Sequence, residues 1–296
     1  MGLLLLWLAC KSERDLRPED TQDSTPDSNA DTDDSTVRDT STPTFDRSLQ
    51  FNGLGRIEVP IDDPASSAGV FLPDVGDRDF TLEFWLKAGA TDNAAPKATC
   101  GDVNAWSDAN VVVDSSRFDR SRGWGAAVAG NTVVFGAFLD SQATSVCGAF
   151  DVLDDTWHHV AMGRRASNGQ LFLFIDGSIQ AVAKGPAGDI SYPDDANPGG
   201  ATDPSLVFGR EKHGGLGFTG FLDEVRLSTK LRYEATFTPL TGPFTADGQT
   251  VLLWHLDEQS GVMVPDSSVI DGAPSDGTLV QLGEPAGPSW SAGGAF

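Results

Sequence analysis

Carboxylates, histidines and cysteines are the side chains here whose types could do chemistry. Asp223-Glu224 and Asp257-Glu258 are adjacent acidic pairs. Retaining glycoside hydrolysis needs two carboxyl groups about 5 Å apart, one as nucleophile and one as acid. Neighbouring residues on a strand point to opposite faces, so neither pair forms that dyad within one strand. Four histidines are present: His158, His159, His213 and His255. His213 stands in a glycine-rich stretch where it could touch a ligand, and His255 falls on a strand. The sequence holds no Gly-x-Ser-x-Gly elbow, no His-Glu-x-x-His zinc pattern and no phosphate-binding loop. Of the three cysteines, Cys10 closes an N-terminal apolar run. Cys100 and Cys147 remain as a pair, which an oxidising compartment would join as a disulfide. Closing so long a loop is worth roughly 4 kcal/mol of chain entropy. Two unrelated buried thiols are the alternative.

These groups must be positioned by many short strands. The 296 residues include 33 glycines and 17 prolines, 39% are apolar, and long amphipathic helical patterns are absent. That mixture points to an all-β chain. The clearest stretch is Asp155–Ala183, where Asn168-Gly169 and Asp176-Gly177 separate three strand-like segments, Thr156–Arg164, Gln170–Ile175 and Ser178–Ala183. Both dipeptides tolerate the positive φ angles of a type I′ hairpin turn. Leu171–Ile175 is apolar on both faces and reads as a strand covered on both sides. Along Phe80–Lys87, Phe80, Leu82, Phe84 and Leu86 share one face, and Thr81, Glu83, Trp85 and Lys87 the other. Val111–Val113 is a further strand, and Trp124–Ala129 with Thr132–Leu139 forms a hairpin around Gly130-Asn131.

The net charge of −23, with a pI near 4.2, repels phosphate backbones and excludes nucleic acid as an expected partner. It could favour divalent cations. Met1–Cys10, MGLLLLWLAC, resembles the end of a bacterial lipoprotein signal peptide, in which Cys10 is lipidated. The run is too short to span a bilayer as a helix. An ordinary secretory signal is the alternative. Residues 11–45 are rich in Asp, Ser, Thr and Pro and bury too little apolar surface to offset chain entropy. They are expected to form a disordered acidic tether. Asp27, Asp31, Asp33 and Asp34 lack the glycine turn and terminal glutamate of an EF-hand. The expected location is outside the cell: an outer-membrane or cell-surface lipoprotein, or a secreted protein.

From residue 46 onward a family resemblance accumulates. "TWHHVA", a short turn, then an apolar strand ending in Asp176-Gly177 is similar to laminin-G-like domains of the concanavalin A-like jelly roll. Ser48–Gly53 resembles that family's "ALxFDG" strand, Arg56–Pro60 its "YVEVP", Phe80–Lys87 its "FTISAWVKP" and Phe218–Leu227 its "FxGxIDEVRIY". The resemblance implies an antiparallel jelly-roll β-sandwich over 46–296. It implies strand roles for His158 and His159, and it allows a structural Ca²⁺ held by Asn52, the Gly53 carbonyl and Asp223. Glucanases of this class carry a Glu-x-Asp-x-x-Glu strand, which is absent here. The expected function is therefore a non-catalytic module that binds carbohydrate or an extracellular protein through rim loops. The irregular segments Gly89–Arg122, Gly185–Pro204 and Arg210–Gly217 are the expected carriers of specificity. A structural or adhesive envelope protein is the alternative, and a glycoside hydrolase the weaker one.

The phrase at Val251–Leu282 resembles one that leads the domain in many relatives, yet here it comes last. Either the domain is circularly permuted, or a second repeat begins there. Permutation predicts that Val251–Leu256 joins the same sandwich as Leu49–Phe51.

Overall fold

The computed structural model describes residues 46–61, 72–102, 105–115, 121–192, 205–268 and 275–296. Cys10 and the tether expected over 11–45 lie outside these residues. The described part contains strands and no helix. In chain order they are β1 (Arg47–Asn52), β2 (Arg56–Pro60), β3 (Phe80–Lys87), β4 (Asn110–Asp114), β5 (Arg122–Ala129), β6 (Thr132–Leu139), β7 (Gln142–Cys147) and β8 (His158–Arg165). Then follow β9 (Gln170–Ile175), β10 (Ser178–Lys184), β11 (Ser205–Phe208), β12 (Leu216–Gly217) and β13 (Thr219–Ser228). The last are β14 (Thr250–Trp254), β15 (Met263–Val264), β16 (Gly277–Val280) and β17 (Ser289–Ala292).

Two sheets result. The first runs β10-β9-β8-β3-β13-β1-β17, with β14 also on β13. The second runs β15-β16-β2-β11-β4-β5-β6-β7, with β12 beside β4. Neighbours are antiparallel except β12 and β4. The all-β sandwich expected from the sequence is thus the observed fold.

The core lies between the sheets, and strand alternation builds it. Phe80, Leu82, Phe84 and Leu86 all point inward and are fully buried. Phe80 packs on Trp124 of the second sheet, ring centroids 4.8 Å apart. Trp254 meets Phe208 at 5.2 Å in the same way. Each such side chain taken from water contributes about 1.5–3 kcal/mol.

The two turn dipeptides behave differently. Asp176 and Gly177 both take positive φ, 49° and 72°, and join β9 to β10 directly from Ile175 to Ser178. Asn168-Gly169 makes no such turn. The loop there is longer, Ala166–Gly169, and of these two residues only Gly169 is left-handed, at φ 73°. Its N–H donates to Arg165 O at 2.8 Å. The pairing of Arg165 with Gln170 sets the loop length, and with it the turn type.

Strands β1 and β14 share one edge of β13, end to end: Leu49 pairs with Leu222, and Leu252 with Leu227. Strand β17 adds beyond β1, and β16 pairs with β2. Residues after 250 therefore enter both sheets.

Candidate binding surface at one end of the sandwich

Two of the irregular segments meet at one end of the sandwich, and asparagines fasten them. Asn93 Nδ2 donates to Thr219 O at 2.8 Å, and Thr219 N–H donates back to Asn93 Oδ1 at 3.0 Å. Asn110 bridges Ala95 N–H, at 2.9 Å, to Gly217 O, at 2.8 Å. Asn93 and Asn110 are buried, so each replaces a strand ladder where the chain is irregular. The Cys100–Cys147 disulfide ties the first segment to β7, Cα atoms 5.6 Å apart. Beside it, Gly101 N–H donates to Ser145 O and Ser145 Oγ–H donates to Asp102 O, each at 3.0 Å. A cavity of about 190 Å³ opens in this loop, and its polar lining is Lys97, Thr99, Asp102 and Asp108.

The described part of the third segment, residues 185–192, lies elsewhere. Arg164 donates to Gly76 O at 2.9 Å and to Pro186 O and Gly188 O at 2.9 and 2.6 Å. These carbonyls sit at the start of β3 and the end of β8, the opposite end of the sandwich. Gly185–Ile190 therefore does not join the other two segments. The side chain of Arg164 is fully buried, and burial pushes its guanidinium down to about 10.

The fastened loop covers the outer face of the second sheet over β5 and β6. On β5 and β6 that face carries small residues: Gly125, Ala127 and Ala129 opposite Gly136, Val134 and Thr132. Trp106 seats its indole on the Gly125–Gly136 pair, where a Cβ at either glycine would run into the ring. Trp106 is buried and stacks on Phe138 with centroids 6.3 Å apart. Sequence reading missed Trp106. Its only trace was the run of small residues at alternate positions of the hairpin.

The outer face of the first sheet is closed by charge over part of its area. Glu83 is wholly buried. Its Oε1 accepts from Arg226 Nε at 2.9 Å and Nη2 at 2.7 Å. Its Oε2 accepts from Tyr233 OH at 2.9 Å and lies 3.2 Å from His159 Nε2. Burial alone would raise the Glu83 carboxyl, but His159 and Arg226 outweigh it and hold the group below its ordinary range. The segment carrying Tyr233, Phe237 and Phe244 lies over this network, and all three rings approach His159 edge-on. His158 is held by Asp176 at 2.8 Å and Asp154 at 3.0 Å. Asp176 is the main cause of its raised pKa. Both histidines thus serve strand packing and hydrogen bonding.

The expected calcium set is not assembled. Asn52 pairs with Thr219, and Asp223 lies four residues further along β13, about 13 Å away at strand spacing. Asn52 Nδ2 donates to Leu282 O and Pro285 O, and its Oδ1 accepts from Leu54 and Gly55 N–H. The residue closes a turn and has no oxygen directed at Asp223. Gly53 N–H donates to Phe218 O at 3.0 Å. Asp223 is buried and accepts from Glu224 N–H at 2.9 Å and Ala295 N–H at 2.7 Å. Among the described residues no three of His, Cys, Asp and Glu form a metal-holding group.

The acidic pairs also depart from simple strand geometry. A bulge interrupts β13 between Asp223 and Arg226, with Glu224 at φ 49°. Glu224 accepts from Phe244 N–H and pairs with His255 Nδ1, both at 2.7 Å. Asp257-Glu258 lies beyond the end of β14. Burial pushes the Asp223 carboxyl up to about 8 and that of Asp257 to about 6, with Glu224 adding repulsion to each.

A search of curated proteins gives no match. Among solved structures, a proposed carbohydrate binding protein from Bacteroides ovatus superposes with TM-score 0.54 at 16% identity, covering 83% of this chain and 60% of its own. The present chain thus spans about three fifths of that protein. Domains LG4-5 of the mouse laminin α1 chain align with TM-score 0.44 at 11% identity, over 62% of this chain and 42% of theirs. A heptameric pentraxin from Limulus polyphemus gives 0.38 at 13% identity, over 64% and 78%. Residues 62–236, more than half of the 296, match the laminin G family model of the concanavalin A-like lectin/glucanases superfamily. With that match and the two-sheet sandwich together, the chain belongs to the laminin-G-like branch of the concanavalin A-like lectin/glucanase superfamily.

Proposed function

We propose that this chain is a non-catalytic module that binds carbohydrate or an extracellular protein through the fastened end of its sandwich. The observation that carries this reading is the anchoring of two irregular segments there by Asn93, Asn110 and the Cys100–Cys147 bridge. Binding residues are commonly carried on loops held by a rigid scaffold. The cavity between Lys97, Thr99, Asp102 and Asp108 offers both donors and acceptors. The fold shared with the Bacteroides ovatus protein supports carbohydrate as the first class to test. The absence of catalysis is supported by the engagement of Glu83, Asp223 and Glu224, whose oxygens accept hydrogen bonds within the fold. In this reading the protein is exported, lipidated at Cys10 and held off the membrane by residues 11–45 as a tether. The net charge of −23 keeps nucleic acid out of the partner set.

A glycan array probed with the full, unlipidated chain tests this. Saturable binding is expected, weakened by Lys97→Ala or Asp102→Ala. Release of new reducing ends from a bound glycan would overturn the non-catalytic reading.

A further inference from the structure

At the same end, the outer face of the first sheet keeps a row of side chains that neither cover reaches. Gln50 on β1 pairs with Phe221 on β13, and Phe221 pairs with Lys87 on β3. The register of β3 with β8, Leu86 opposite His158, brings Lys87 opposite Trp157. The row therefore reads amide, phenyl, ammonium, indole across four neighbouring positions. At about 4.8 Å between strands it spans roughly 14 Å. Gln50 is exposed, and Phe221, Lys87 and Trp157 are half-buried.

The two rings stand 6.4 Å apart at 66°, edge-on and not stacked face to face. Lys87 Nζ lies over both rings, 5.2 Å from the Phe221 centroid and 5.9 Å from that of Trp157, so its flexible stem must swing aside or share the rings with a ligand. Its ammonium is 3.9 Å from the carboxylate of Asp155, which is 78% exposed. Two rows of side chains further along β3 the face is closed by the Glu83 network, and between them Trp85 is covered by Phe296, centroids 5.3 Å apart. The open row is thus limited to the edge of the fastened end.

The alternation of chemistry along this row selects its ligand. A lipid or an apolar peptide would meet an ammonium and an amide between the rings. An anionic chain would meet Asp155 beside Lys87 on a protein of net charge −23. A pyranose chain presents C–H faces that lie on aromatic rings, and hydroxyl edges that bond ammonium, carboxylate and amide groups. We propose that Phe221, Lys87 and Trp157, with Gln50 and Asp155 at the flanks, form a stacking platform for a neutral oligosaccharide of a few sugar units. The inference rests on the binding-module reading and extends the contact surface from the loop cavity to the sheet face beside it.

Affinity electrophoresis of the full chain through gels holding laminarin, hydroxyethylcellulose, xylan or galactomannan tests it. Retardation in at least one gel is expected. Trp157→Ala and Phe221→Ala should each weaken it about tenfold, the equivalent of one aromatic contact. Trp157→Phe should keep most of it, which separates loss of stacking from loss of fold, and thermal melts of each variant complete that control. Retardation that survives both alanine variants but falls with Lys97→Ala or Asp102→Ala overturns the platform and leaves the loop reading standing. No retardation of the unaltered chain in any of the four gels also overturns it, and leaves a protein partner as the form of the binding-module reading.

Discussion

On the second sheet the outer face is closed by carbon, with an indole set on two glycines and a disulfide beside it. On the first sheet the closed part is sealed by charge, one glutamate holding a guanidinium, a phenol and an imidazole. The two devices fail differently. A carbon seal fails by leaving a hole. A charge seal fails by leaving an unpaired ion in a dry place. The contrast explains why the fastened loop can line a cavity without opening the sheet beneath it: its hold comes from Trp106, Asn93, Asn110 and the disulfide, not from the side chains of Lys97, Thr99, Asp102 and Asp108 that would meet a ligand.

Removing the plug is the largest test. Trp106→Ala should cost about 4 kcal/mol, since removing the indole leaves a cavity over the flat Gly125–Gly136 seat. Chemical denaturation gives the magnitude. Hydrogen exchange should show β5 and β6 losing protection while β3 and β8 keep theirs, and equal loss in both sheets would refute the separation of the two seals.

Glu83→Gln tests the charge seal. The substitution keeps the shape but leaves Arg226 without its counter-ion in a buried site, so a loss of about 3 kcal/mol is expected. The double variant Glu83→Gln with Arg226→Met should recover part of that loss, because the unpaired charge is then gone. No recovery would mean that the network holds by hydrogen bonding to Tyr233 and His159 more than by the ion pair.

How far these seals can be read from sequence depends on how far apart their parts lie. The polar face of Phe80–Lys87 was visible from alternation alone, and β3 has those limits. Counting left Cys100 and Cys147 as a disulfide candidate beside two unrelated thiols, and the fold joins them. Glu83 and Arg226 are 143 residues apart, and only strand register makes them neighbours. Trp106 and its glycine seat are likewise joined by a loop path that periodicity does not encode. The same gap undid the calcium set: Asn52 and Asp223 both resemble the family's positions, but β1 and β13 pair in a register that holds them about 13 Å apart. Motifs carried the fold, whereas long-range register decides the site.

The disulfide is expected to matter less than its loop length suggests. Chain entropy alone gives roughly 4 kcal/mol for a separation of 47 residues. Trp106, Asn93 and Asn110 hold the same loop independently. Cys100→Ser with Cys147→Ser should therefore cost about 2 kcal/mol, with the Trp106 seat intact by tryptophan fluorescence. A loss equal to that of Trp106→Ala would make the bridge, rather than the indole, the main fastening.

The last test is one of pH, and it lies with the buried acids near the bulge of β13. Asp223 ionises at about 8 in the fold against an ordinary value of 3.8, and Asp257 at about 6. The folded state thus favours the neutral acids. Their contribution is fully present below pH 3.8 and is lost as pH rises, through about 6 for Asp257 and about 8 for Asp223. His158, raised chiefly by Asp176, also loses its contribution as pH rises. Glu83 is lowered, and so is Asp247, whose burial is outweighed by Arg232 and Lys230 on its carboxylate; their contribution is present above the ordinary carboxylate range and lost in acid. The melting temperature should therefore peak in mild acid and fall toward pH 9. Asp223→Asn keeps a neutral side chain that accepts one of the two N–H groups at every pH. The variant should melt lower than the parent in mild acid, having lost one acceptor, and close the gap toward pH 9. Parallel profiles would mean that Asp223 is ionised in the fold throughout, with its two N–H donors outweighing its burial.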